Sequence, residues 1–198
     1  MPLHTYLLQK ALLNPEHLEQ LMPLVQFKKV EKGQILLSKG DWCKHTFFVE
    51  KGLLRFYSID EAGKEHIIQF GCEDWLVSDR SSVYFNQASR FYIDAIEDSE
   101  LAMLDMRFIE KANEISPEFR TYNEYLLQNH IRQLQNRIDL LIGASAEVRY
   151  LEFIKLYPNL TLRVPQWMIA SYLGITPESL SRVRKELAKR NFKPLSEG

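Results

Sequence analysis

Pro165–Arg190, PQWMIASYLGITPESLSRVRKELAKR, contains two short helices pinned around one glycine. The first, Gln166 to Leu173, groups Ile169, Ala170 and Leu173 on one side. Gly174 ends it, since the residue just past a helix often takes a positive φ, which glycine adopts at little cost. Thr176 then supplies a hydroxyl for an N-cap, and Pro177 fits the first helical position, where no N–H is needed. In the second helix Leu180, Val183 and Leu187 make an apolar stripe. Glu178, Arg182 and Lys185, at i, i+4 and i+7, share a different face. One face packs and the other presents hydrogen-bonding groups, as a helix entering the DNA major groove must. Paired amphipathic helices also occur as plain structural units, and Glu178 equally suits a helix N-terminus electrostatically.

Charge is distributed in the same sense. Residues 145–198 carry nine Lys/Arg against five Asp/Glu, whereas residues 1–144 carry 16 against 21. The chain of 198 residues has a formal net charge of −1, so only the basic excess at the C-terminal end bears on nucleic acid. No apolar run is long enough to cross a bilayer, and MPLHTYLLQK lacks signal-peptide architecture. Two cysteines, Cys43 and Cys72, make no disulfide framework and point to a reducing, cytoplasmic setting.

Upstream, the first 25 residues read as helical, with a helix start at Asn14-Pro15. From about Phe27 to Asp105, short β-branched and aromatic stretches alternate with turn signals: Gln34–Leu37, Thr46–Glu50, Leu53–Ile59, Glu65–Phe70, Phe91–Ala95 and Leu101–Leu104. Leu53–Ile59 and Glu65–Phe70 flank the Asp60–Lys64 turn as a hairpin. Such strands roll into an antiparallel sandwich or barrel. Pro117 opens a long helix to about Ile142, in which Leu127, Ile131, Leu134, Ile138 and Leu141 follow a 4-3-4-3 spacing, the seam of a coiled coil. A second stripe, Phe119, Tyr122 and Leu126, lies on another side and suits packing on the β domain. Ala144–Tyr157 is a further helix, followed by a connector with a short Leu160–Val164 strand.

In this order the chain resembles the Crp/Fnr superfamily of transcriptional regulators. The resemblance rests on ASYLG (Ala170–Gly174) with ITPESLSRVRKEL (Ile175–Leu187), on SAEVRYLEFI (Ser145–Ile154), on Lys39–Phe70 and on YIDAIEDSELAML (Tyr92–Leu104). It implies an α+β fold: an N-terminal antiparallel β-roll (a double-stranded β-helix or jelly roll), a long dimerisation helix and a C-terminal winged helix-turn-helix. The implied domains are a cyclic-nucleotide-binding-like sensory β-roll over 1–116, the dimerisation helix over 117–143 and the DNA-binding domain over 144–198. Carried over by residue, it implies that Glu178 and Arg182 read base edges, while Thr176, Ser179 and Lys185 bind phosphates or adjacent bases. Double-stranded DNA, a second copy of the chain and RNA polymerase are the implied partners, with no catalytic activity. Pro177 stands where the family often has arginine, so the target sequence should differ from that of cyclic-AMP-responsive members.

The sensory half departs from the nucleotide-binding pattern. Where those members carry an Arg-Ser pair for the cyclic phosphate, this chain has Ser78-Asp79 and Ser89-Arg90, in reversed order. A one-residue shift in a strand sends a side chain to the opposite face, which argues against cyclic AMP. Ser78, Ser89 and Arg90 are the candidate lining of an effector site. The four-cysteine ligand set of iron–sulfur sensors is not met by two cysteines, so no cofactor is expected. Two other readings compete. A metal-dependent cupin-like enzyme would use Cys43, His45 and His66 as ligands, although no H-x-H pair is present. A sensor acting only through protein partners would leave the Glu178/Arg182 face unused.

Overall fold

The computed structural model describes residues 1–191. The chain divides into two compact units, with the break between His130 and Ile131, inside the long helix.

In the first unit, helices α1 (Leu3–Gln9) and α2 (Pro15–Leu21) precede the strands, and α2 starts as the sequence indicates, with the Asn14 side chain accepting the His17 N–H. Eight strands follow: β1 (Gln26–Val30), β2 (Ile35–Leu37), β3 (Thr46–Lys51), β4 (Leu54–Ile59), β5 (Glu65–Gly71), β6 (Leu76–Val77), β7 (Tyr92–Ala95) and β8 (Ser99–Leu104). They form two antiparallel four-stranded sheets, ordered β1-β8-β3-β6 and β2-β7-β4-β5. The chain passes repeatedly from one sheet to the other, the connectivity of a β-roll. A six-residue helix, α3 (Arg80–Phe85), interrupts the strands, and α4 (Met106–Ile115) follows them.

Both faces of the first sheet are covered, and the alternation of β3 shows why. Phe47 and Val49 point into the roll with Leu37, Leu54, Phe56, Ile93 and Leu101. Phe48, between them, points outward into a second core with Leu3, Leu7, Leu21, Phe108 and Phe119 from the helices. The long helix α5 (Pro117–Gly143) enters that core through Phe119, and its Tyr122 hydroxyl lies 2.7 Å from that of Tyr6. The stripe expected to pack on the β domain does so at these residues.

The opposite face of β4 carries a polar cluster. Arg55 stands directly across from Asp94 in the β4–β7 register and donates to it twice, at 2.7 and 2.8 Å, while also pairing with Glu65. The Tyr57 hydroxyl donates to Asp94 at 3.1 Å, and burial, then the Asp94 charge, push that hydroxyl up to about 12.

The second unit adds α6 (Ala146–Leu156), α7 (Gln166–Leu173) and α8 (Pro177–Asn191) to the end of α5. Phe153, Tyr157, Leu160, Ile169, Leu173 and Leu180 form its core. The connector expected as a strand over Leu160–Val164 is instead a single 3-10 turn, Leu160–Leu162, closed by Arg163 N–H on the Leu160 carbonyl. Leu160 is buried and Leu162 fully exposed, so the apolar alternation reflects one anchoring residue rather than a pleat. The expected wing, where it follows α8, lies outside the described residues.

Candidate nucleic-acid interface

The helix pair is built as its residues dictate. Gly174 takes φ 65 and ends α7, with its N–H on the Ser171 carbonyl. A Cβ there would be strained by that φ and would also come within 3.1 Å of Leu141 Cδ2. The Thr176 side chain accepts the Ser179 N–H at 3.2 Å, and Pro177 opens α8. Leu180 and Val183 are buried, which fixes the roll of α8 about its own axis.

That roll leaves Thr176, Glu178, Arg182 and Lys185 exposed, with Ser179 half-buried. Thr176 and Ser179 spend groups on the cap, so of the five expected site residues Arg182 and Lys185 keep the freest side chains. The Glu178 carboxyl is held below its ordinary range by its own backbone N–H and by the Thr176 hydroxyl. Lys189, exposed and four residues past Lys185, continues the same stripe. The sequence reading stopped one turn short of it, although the periodicity extends that far. Other cations of this half are engaged: Arg190 pairs with Glu147 at 2.6 Å, and Lys155 with Glu152 at 2.6 Å.

On α5 the five seam residues, Leu127, Ile131, Leu134, Ile138 and Leu141, are all between 37% and 56% exposed. Ile142, which the heptad spacing does not include, is 82% exposed beside them. A run of large apolar side chains left this open is unusual for a helix that packs only within its own chain.

The three candidate effector residues do not share one setting. Ser89 is buried, and its hydroxyl donates to Asp79 at 2.7 Å while accepting the Phe91 N–H. Arg90 is exposed, and Ser78 is half-buried. Asp79, itself buried, caps α3 by accepting the Ser81 N–H. A carboxylate therefore occupies the end of that helix which favours anions. Nor does the alternative metal set assemble. The Cys43 thiol, pushed up by burial, donates to the His45 carbonyl at 3.2 Å, while His66 lies 2.8 Å from Asp60 on the β4–β5 hairpin. Among the described residues no three His, Cys, Asp or Glu side chains form a group able to hold a metal.

Residues 27–114 match the family model of the cyclic nucleotide-binding domain. Over 189 residues the chain is 28% identical to the anaerobic regulatory protein of Pasteurella multocida, covering 89% of this chain and 68% of that one. The fumarate and nitrate reduction regulatory protein of Vibrio cholerae is 29% identical over 186 residues, covering 86% and 72%. Among solved structures, FixK2 from Bradyrhizobium japonicum superposes with a TM-score of 0.72 at 19% identity, over 88% of this chain and 89% of that one. A Crp/Fnr family transcriptional regulator from Eubacterium rectale does so with a TM-score of 0.66 at 18% identity, over 93% and 88%.

Proposed function

We propose that this chain is a Crp/Fnr-type transcriptional regulator that binds a near-palindromic operator as a homodimer, a reading supported by its likenesses to such proteins. The observation that carries the reading is the two-sidedness of α8: Leu180 and Val183 buried, Glu178, Arg182 and Lys185 projecting from the other side. A guanidinium donates bidentately to guanine and a carboxylate accepts from cytosine N4, so this face suits a major-groove edge. Lys185 and Lys189 supply phosphate contacts, which make affinity fall with salt.

In this reading residues 1–116 are the sensory part, α5 over 117–143 pairs two chains along the Leu127–Leu141 seam, and 144–198 reads DNA. Parallel pairing sets two recognition helices about 34 Å apart, one DNA turn. No enzymatic step enters it. Among the described residues no helix is long and apolar enough to cross a membrane, and the reading places the protein in the cytoplasm with the chromosome. RNA polymerase is its further partner, testable by its retention on operator DNA with and without this protein.

Selection of bound duplexes from a random pool tests the function. Two inverted half-sites with centres about one helical turn apart are expected; recovery of no enriched sequence overturns the reading. The effector in this reading is not cyclic AMP, because the buried Asp79 carboxylate opposes a phosphate beside α3. An unfolding midpoint unchanged by the nucleotide supports that, and a raised one overturns it.

A further inference from the structure

Two arginines that composition alone would count as phosphate binders are turned inward. Arg149 of α6 donates through Nε to the Ala144 carbonyl, just past the end of α5, and through Nη1 to the Leu173 carbonyl, the last of α7, both at 3.0 Å. Arg137 of α5 donates to the Tyr172 carbonyl at 3.3 Å, and its guanidinium lies 4.0 Å from the centre of the Tyr172 ring. Adjacent carbonyls at the C-terminal end of α7 thus each receive a guanidinium, one from the seam helix and one from the helix after it. The last carbonyls of an α-helix lie beyond the reach of its own N–H ladder, and that end of a helix favours cations. Leu141 of α5 closes the same junction against Gly174.

We propose that Arg149 and Arg137 are positioning residues that bind the helix pair to the end of the seam helix, so that the angle of α8 follows α5. The proposal rests on the DNA-binding reading and goes beyond it, since it assigns cations in this half to geometry rather than to DNA. A planar guanidinium with donors on two edges bridges two carbonyls; an ammonium at the end of a flexible chain has no such fork. Charge-preserving substitution therefore separates the two roles.

The test uses the full-length chain and its selected operator. Wild type, Arg149→Lys and Arg149→Gln are compared for affinity over a range of salt concentrations, with sedimentation to follow the dimer and hydrogen exchange to follow residues 170–180. Each hydrogen bond from a charged group is worth enough for both variants to lose at least about tenfold in affinity. The slope of log affinity against log salt should match that of wild type, because no phosphate contact is removed. Amides around Gly174 should exchange faster in both variants while the dimer persists. A slope reduced by about one in Arg149→Gln, with Arg149→Lys behaving as wild type, marks a phosphate contact and overturns the proposal. So does unchanged protection around Gly174. If Arg149 variants do not fold, Arg137→Lys and Arg137→Gln carry the same measurements, with the same outcomes counting for and against. Wild-type protein that binds no duplex defeats the DNA reading alone, and the exchange result still decides the clamp.

Discussion

Arg182 separates base readout from simple attraction to a polyanion. Its side chain is exposed one turn past Glu178, on a helix whose opposite face is buried. Arg182→Ala should cost about 1–3 kcal/mol in operator binding and relax specificity at one base pair of each half-site. Titration against single-base operator variants checks this, and equal weakening on all of them makes Arg182 a phosphate contact. The exposed face was readable because capping chemistry is local: Gly174, Thr176 and Pro177 set where α7 stops and α8 starts, and i, i+4 spacing does the rest. The inward turn of Arg149 was not readable. Its partners are backbone carbonyls five and 24 residues away, and carbonyls leave no mark in a side-chain pattern.

At the scale of elements, α5 is one uninterrupted helix of 27 residues, about 40 Å long. The seam it carries predicts that Ile131→Asp with Ile138→Asp dissociates the dimer and abolishes operator binding together. Each aspartate would place an unpaired carboxylate in an apolar interface, a cost of several kcal/mol, about 3–5 by analogy with broken buried pairs. Sedimentation of the double variant reads it directly, and a persisting dimer removes the seam from the interface. The hairpin β4–β5 and the strands β3, β7 and β8 were legible within two residues at each end, because β-branched and aromatic runs stand between turn residues. The strand β1, Gln26–Val30, was missing from the strands read, and three further elements were not legible either. β6 is two residues long, too short for any period. α3, RSSVYF, has weak helical propensity and is started by the Asp79 cap. The Leu160–Leu162 turn imitates a strand because one leucine is buried and the next but one is not.

For the molecule as a whole, the effector question is one of linkage. A nucleotide bound at a hundred times its dissociation constant would add about 2.7 kcal/mol to stability, a shift plainly visible in thermal denaturation. Absence of that shift with cyclic AMP is the expected result. The sequence placed Ser89 and Arg90 beside each other without showing that one is buried against Asp79 and the other exposed. Which face a residue takes near a strand end depends on register with a neighbour far along the chain, so a linear reading stops there.

The facing of Arg55 and Asp94 across β4 and β7 also constrains how this protein can vary over time. With both side chains at most 11% exposed, loss of Arg55 strands the Asp94 charge at a cost of about 3–5 kcal/mol, whereas loss of Asp94 leaves Arg55 its pair with Glu65. Joint replacement by apolar residues of similar volume approaches neutrality only when Glu65 and Tyr57, which share the cluster, change with them. The four positions are therefore coupled in inheritance, and intermediates that keep Asp94 without Arg55 should be rare and thermally fragile.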